Sequence, residues 1–181
     1  QGALYGMKNI TAFAGEQFDR LRHEKSVHPD LLKCVMQVGA LVGGHTALEW
    51  LQQRFEITGS EHERMNILIA MGCVQQPPLI AATQEYTLTK VPDRNKFISI
   101  VSLASNPHAI PILWQWYVKQ VEDLEQFHPL LYERVVEAIV PICGLPHEVE
   151  VYEFFADYQK RTDKFKDVIR LALEKLAVNS K

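Results

Sequence analysis

Apolar residues recur along this chain at three- and four-residue spacings, in successive runs broken by short polar or proline-bearing segments. That spacing puts them on one face of a helix, and no run shows the strict alternation of a half-buried strand. The first run predicts a helix from about Ile10 to His23, with Phe13, Gln17, Phe18 and Leu21 near helical spacing. A second begins at Pro29, carries Leu32, Val35, Met36 and Leu41, and stops at Gly43-Gly44. Thr46 followed by Glu49 has the form of a capping box, so a third helix presents Leu48, Leu51 and Phe55, with Trp50 on its flank. Ser60 with Glu63 repeats that signature before a fourth helix holding Met65, Leu68, Ile69 and Met71.

Prolines supply the remaining punctuation. Pro29, Pro77, Pro92, Pro107, Pro129 and Pro146 each stand just before an apolar run, where a ring with fixed φ and no N–H costs least. Pro77-Pro78 opens a fifth helix from Leu79 to about Leu88, and Pro92 a sixth that uses Phe97, Ile100, Val101 and Ala104. Asn106-Pro107 sets a good N-cap beside a good first-turn residue, and the seventh helix runs to about Leu124. Pro111 either bends it near its start or marks where it truly begins. The eighth spans about Pro129 to Ile142, the ninth about Pro146 to Tyr158 and the tenth about Thr162 to Val178.

Connections this short make neighbouring helices antiparallel. The expected fold is all-α, a layered α-α superhelix of about ten short antiparallel helices, HEAT- or armadillo-like, because helix pairs recur every ~30 to 37 residues. An irregular globular bundle is the structural alternative. Residues 1–181 read as one helical-repeat domain. Helical periodicity begins almost at Gln1, which suggests the C-terminal fragment of a longer chain, although a processed terminus would look the same.

Composition narrows the function classes. With 181 residues, 47% of them hydrophobic, the chain can bury one substantial core or two small ones. A net charge of −3 argues against a nucleic-acid or anionic-membrane surface, which needs clustered Lys and Arg. No apolar run approaches the roughly 20 residues of a membrane span. Cys34, Cys73 and Cys143 lie far apart among apolar neighbours and read as small core residues, and their odd number suggests a reducing compartment, the cytoplasm.

Catalytic motifs are begun and not completed. His23-Glu24, His62-Glu63 and His147-Glu148 each open like the H-E-x-x-H zinc helix, whose two imidazoles four residues apart share a face. Four residues on stand Val27, Asn66 and Val151 instead. Gly39, Gly43 and Gly44 do not form a phosphate-binding loop, and no G-x-S-x-G appears. Glu148, Glu150, Glu153 and Asp157 read as a solvated acidic face. Trp114, Tyr117 and Val121 share a face that belongs to the core, while Trp116 points elsewhere, free to line a groove. The residues alone assign no chemistry.

The order of motifs between Val91 and Tyr158 is more specific. Pro92-Asp93-Arg94-Asn95-Lys96-Phe97 is followed by Asn106-Pro107, then by Leu113-Trp114-Gln115-Trp116 with Lys119, and later by Glu148-Val149-Glu150-Val151-Tyr152-Glu153-Phe154-Phe155. This resembles the C-terminal helical domain of the M1 family of zinc aminopeptidases. In that family a turn like I-R-x-Q-D-F leads to N-P, then to A-W-x-F and N-W, and later to an E-E-V-x-x-F-F helix. Asp30 to Phe55 and Glu61 to Cys73 resemble the family's upstream helices. The chain departs at Asn95-Lys96, where the family has Gln-Asp, and at Gln120-Val121, where it has N-W.

The resemblance implies a non-catalytic domain that caps the active-site cavity of a parent enzyme and contacts the peptide substrate beyond its scissile end. Its implied partners are the catalytic domain of the same parent chain and the peptide, with no nucleic acid and no membrane. Zinc belongs to the parent, and no cofactor is expected in this segment. Arg94, Asn95, Asn106 and Lys119 are the candidate substrate contacts, since cations and polar helix ends suit a peptide carboxylate. A free-standing α-solenoid adaptor that binds another protein through a concave face is the alternative.

Overall fold

The computed structural model describes residues 7–181. Ten α-helices account for most of them: α1 (Lys8–Arg22), α2 (Pro29–Val42), α3 (Gly44–Ile57), α4 (Glu61–Met71), α5 (Pro77–Thr89), α6 (Asp93–Ala104), α7 (Ile110–Leu124), α8 (Pro129–Cys143), α9 (Glu148–Arg161) and α10 (Lys166–Asn179). No strand occurs among the described residues. The chain is an α-α superhelix, and the layered form holds.

Each odd helix packs on the even helix that follows it, and the even helices pack on one another in the order α2, α4, α6, α8, α10. Side-chain contacts fix their common direction. Asn95 at the start of α6 donates to Glu61 at the start of α4 (2.8 Å), whereas Ser102 near the end of α6 donates to the Ile69 carbonyl near the end of α4 (2.6 Å). Arg134 at the start of α8 lies over the Phe97 ring at the start of α6, 5.8 Å from its centroid. Asn179 at the end of α10 donates to the Pro141 carbonyl at the end of α8 (3.0 Å). The even helices therefore run parallel, and the connections alternate between the two ends of the array.

Local chemistry explains where helices start. His28 and His128 each precede a proline and accept, through Nδ1, the backbone N–H two residues on, at 3.3 Å in both cases. The imidazole thus caps α2 and α8, and the ring of Pro29 or Pro129 occupies the first turn, where its missing N–H has no partner to lose. Ser60 caps α4 by accepting from the Glu63 N–H (3.3 Å). The reciprocal half of that capping box is absent, because the Glu63 carboxylate turns to Arg54 and Thr58.

Several expected boundaries shift for physical reasons. Thr46 is no cap. Gly44, at φ +60°, lets the chain restart a helix one residue after α2, leaving Thr46 in the first turn of α3. Pro77 itself begins α5, two residues before the expected Leu79. Pro111 falls in the first turn of α7, which starts at Ile110 and so needs no bend. Pro146 sits in a 3₁₀ turn, Leu145–His147, ahead of α9. Thr162 is extended and ends α9, while Phe165 at φ 59° delays α10 to Lys166. That left-handed phenylalanine is held by packing, with its ring 4.5 Å from the ring of Tyr132.

The core runs the length of the array. Met36, Leu68, Met71, Ile100, Leu103, Val136, Ile139, Ile169 and Leu176 on the even helices are all fully buried. Each such side chain contributes about 1.5–3 kcal/mol relative to exposure. Aromatics fill the space between α7, α8 and α9: Trp114 stacks on Tyr117 (5.6 Å between centroids) and meets Phe154 edge-on (5.6 Å).

Candidate functional site

Polar side chains on α6 are the natural starting point, because three of the four candidate contacts lie on or just beyond it. Asn95, Ser99, Ser102 and Asn106 recur every three or four residues and so share one stripe, which faces α4. The last turn of α4 is buried, leaving carbonyls that need partners. Asn106 donates to the carbonyls of Gly72 (2.9 Å) and Val74 (2.7 Å), and its own Oδ1 accepts from the His108 N–H (3.0 Å). Thr83 from α5 donates to the Met71 carbonyl (3.3 Å). Asn106 is 1% exposed, and its amide has nothing left for a ligand. Asn95, also buried, is committed to Glu61.

Arg94 and Lys119 are different. Arg94 is exposed at the start of α6, with its guanidinium 3.8 Å from Glu61, and Lys119 is exposed on α7. The hydrogen bond from Asn95, with the charges of Arg94 and Arg64, holds the Glu61 carboxyl below the usual carboxylate range. Between the sequence neighbours of these two cations opens a cleft of about 440 Å³, where the ends of α5 and α7 meet the start of α6. Asp93, Lys96, Gln120, Asp123 and Gln126 supply its polar walls and Phe127 its apolar one. Lys96 is mostly buried, donates to Asp93 (2.7 Å) and lies over the Phe127 ring (5.8 Å). Asp123 has no ion-pair partner among the described residues. The cleft thus offers amides and charges of both signs.

A second cleft, about 480 Å³, opens at the same end of the array between α3 and the α1–α2 connection. Trp50 and Leu21 form its apolar part and Arg22, Glu24, Lys25 and Arg54 its charged part. Arg54 is held from behind by Glu63, with Nε–Oε1 at 2.7 Å and Nη2–Oε2 at 3.2 Å. Burial works against ionisation of Glu63, but the hydrogen bonds from Arg54 and Thr58 outweigh it and hold the carboxyl below its usual range.

The histidines do not assemble a metal site. His62 faces Asn66 (3.3 Å), His23 contacts the Asp19 carbonyl (2.7 Å), and His147 pairs with Glu150 (3.5 Å). Among the described residues no group of three or more His, Cys, Asp or Glu could hold an ion, so the side chains present do not fit the zinc implied for a parent enzyme. Burial pushes the Cys143 thiol up to about 12 and raises that of Cys73, which makes both inert as nucleophiles. Cys34 is exposed on α2, not in the core as expected. Trp114 and Tyr117 are buried as the spacing requires, and Trp116 is half-buried against the core. No helix among the described residues is long and apolar enough to cross a membrane.

Parallel stacked hairpins held by side-chain bonds from one even helix to the next define a helical-repeat domain of the α-α superhelix class. The chain belongs to the ERAP1-like C-terminal domain family, whose model matches residues 1–178. That membership agrees with the motif order of the M1 aminopeptidase C-terminal domain and sets the chain in that context. No curated protein matches the chain.

Proposed function

We propose that this chain is the non-catalytic C-terminal domain of an M1-type zinc aminopeptidase, which caps the active-site cavity and helps hold the peptide substrate. Its partner is a catalytic domain in the same polypeptide, which carries the zinc. The family match over residues 1–178 carries this reading. Further support comes from the two mixed-charge clefts, which suit a peptide, and from the burial of the Cys73 and Cys143 thiols and the local contacts of His23, His62 and His147.

Within this reading Arg94 and Lys119 contact the peptide, while Asn95 and Asn106 hold the α6 scaffold on which Arg94 stands. The test is fluorescence anisotropy of a short labelled peptide with a free carboxylate. Replacing both Arg94 and Lys119 with alanine is expected to weaken binding by about three- to tenfold, the range of exposed charge contacts. Unchanged affinity contradicts the assignment. Zinc-dependent release of an aminoacyl group by this chain alone contradicts the non-catalytic role.

A further inference from the structure

Seven histidines occur in this chain, and the partner of each ring decides what protonation does to it. His23 Nδ1 faces the Asp19 carbonyl (2.7 Å), an acceptor, so that nitrogen already carries a proton and a second one leaves the bond in place. His45 and His147 lie beside Glu49 (3.4 Å) and Glu150 (3.5 Å), pairs that a positive ring strengthens. His62 meets the Asn66 side-chain amide (3.3 Å), which can turn its oxygen to the ring instead. Among the described residues only His28 and His128 set a ring nitrogen against a backbone N–H, that of Asp30 and of Leu130, at 3.3 Å each. A backbone N–H can only donate, so Nδ1 here is the bare nitrogen of a neutral ring protonated at Nε2. Protonation sets donor against donor and puts a positive charge at a helix N-terminus.

We propose that these two imidazole caps are acid-sensitive latches on the walls of the two clefts. Glu24, Lys25 and Ser26, just ahead of His28, line the first cleft, and Gln126 and Phe127, just ahead of His128, line the second. Each cap ties its connection to the helix that follows. In acid the imidazolium leaves the N–H and the connection loses that tie. The helices persist, because Leu31 and Leu131 still donate to the His28 and His128 carbonyls (2.9 and 2.8 Å). The two latches differ. Asp30 Oδ2 stands 3.6 Å from His28 Nδ1, so the proton that breaks the first cap gives the ring a carboxylate partner and keeps it near. No carboxylate pairs with His128 among the described residues, and its latch opens further. The other charged groups at this end of α2 and its packed neighbours are Lys33, Arg20 and Arg22 on α1, Arg54 and Glu56 on α3, and Glu61, Glu63 and Arg64 on α4. Around the start of α8 they are Glu133, Asp93, Arg94 and Lys96 on α6, Glu122 and Asp123 on α7 with Glu125 just beyond it, and Lys166 and Asp167 on α10. Many pair among themselves, Arg54 with Glu63, Arg94 with Glu61 and Lys96 with Asp93, which leaves the caps to titrate on their own account. The inference is independent of the peptide reading, since it concerns the chain without a ligand.

Nitrogen-15 NMR of the unliganded chain from about pH 7.5 to about 5.5, across the ordinary imidazole range, tests it. At the neutral end the ring spectra are expected to place the proton of His28 and of His128 on Nε2. As each ring titrates, the Asp30 and Leu130 amide signals are expected to shift with it, and backbone order parameters at residues 125–128 to fall from about 0.85 to below about 0.6. Residues 23–28 are expected to lose less, because Asp30 retains the ring. His128→Asn keeps a capping acceptor that does not titrate, so this variant is expected to fold and to abolish the response at residues 125–128. A proton on Nδ1 of either ring at neutral pH, connections equally ordered at both ends of the titration, or an undiminished response in His128→Asn overturns the proposal.

Discussion

Asn106→Ala removes the partner of two buried carbonyls, Gly72 and Val74, without opening much volume. The expected cost is about 3 kcal/mol, as unsatisfied buried groups command, whereas Arg94→Ala at an exposed ion pair should change stability by less than about 0.5 kcal/mol. Urea unfolding of both variants checks the contrast. Near α9, the Tyr117 and Tyr132 hydroxyls bond to each other at 2.6 Å in a dry interior. Burial raises the pKa of both, and of Tyr158, whose hydroxyl has no partner. The neutral forms are favoured in the fold, so this contribution is intact below the ordinary tyrosine value of about 10 and lost as pH rises above it. Unfolding free energies falling as pH rises above about 10, with the tyrosinate absorbance of the buried Tyr117, Tyr132 and Tyr158 appearing only on unfolding, are the expected result. Residue chemistry was only partly legible in the sequence. Arg94, Asn95, Asn106 and Lys119 look alike as polar residues, and only the three- and four-residue rhythm of Asn95, Ser99, Ser102 and Asn106 hints that some of them face a neighbouring helix.

Helices are where the sequence speaks most clearly, because apolar spacing and proline placement act locally. All ten were legible, as was the start of α2 and α8 at a proline. Boundaries missed where a capping signature was overridden by context. Thr46-x-x-Glu49 lost to a glycine that permits φ +60°, and Phe165 adopts a conformation that only its contact with Tyr132 explains. The imidazole caps His28 and His128 were missed because histidine also reads as a ligand or a surface residue. Two glycines separate steric from conformational demands. A Cβ on Gly39 would clash with the Cγ, Cδ1 and Cδ2 atoms of the Phe18 ring, so Gly39→Ala should force α1 off α2 and cost more than about 2 kcal/mol. Gly44 has open space around it, and Gly44→Ala should cost only the left-handed strain, about 1 kcal/mol. Thermal melts of the two variants measure the difference.

Across the whole molecule, the sequence announced layered hairpins but not the direction of the even helices. That depends on contacts between residues more than thirty positions apart, such as Asn95 with Glu61 and Asn179 with Pro141. A tie of shorter range, Glu63 with Arg54 and Thr58, joins α3 to α4 and makes stability pH-dependent. Because the Glu63 carboxyl is held below its unfolded value, its contribution is present at neutral pH and lost as pH falls from about 4.5 through the folded value. Glu63→Gln should flatten that part of the acid-unfolding curve.

The most direct test of the account is residue-resolved amide mapping during titration with a short, uncapped peptide. A peptide-holding domain predicts shifts at residues 88–96 and 119–127, around the cleft lined by Lys96, Gln120 and Asp123, with the peptide left intact. Cleavage of the peptide, or shifts confined to the opposite end of the array, would contradict it.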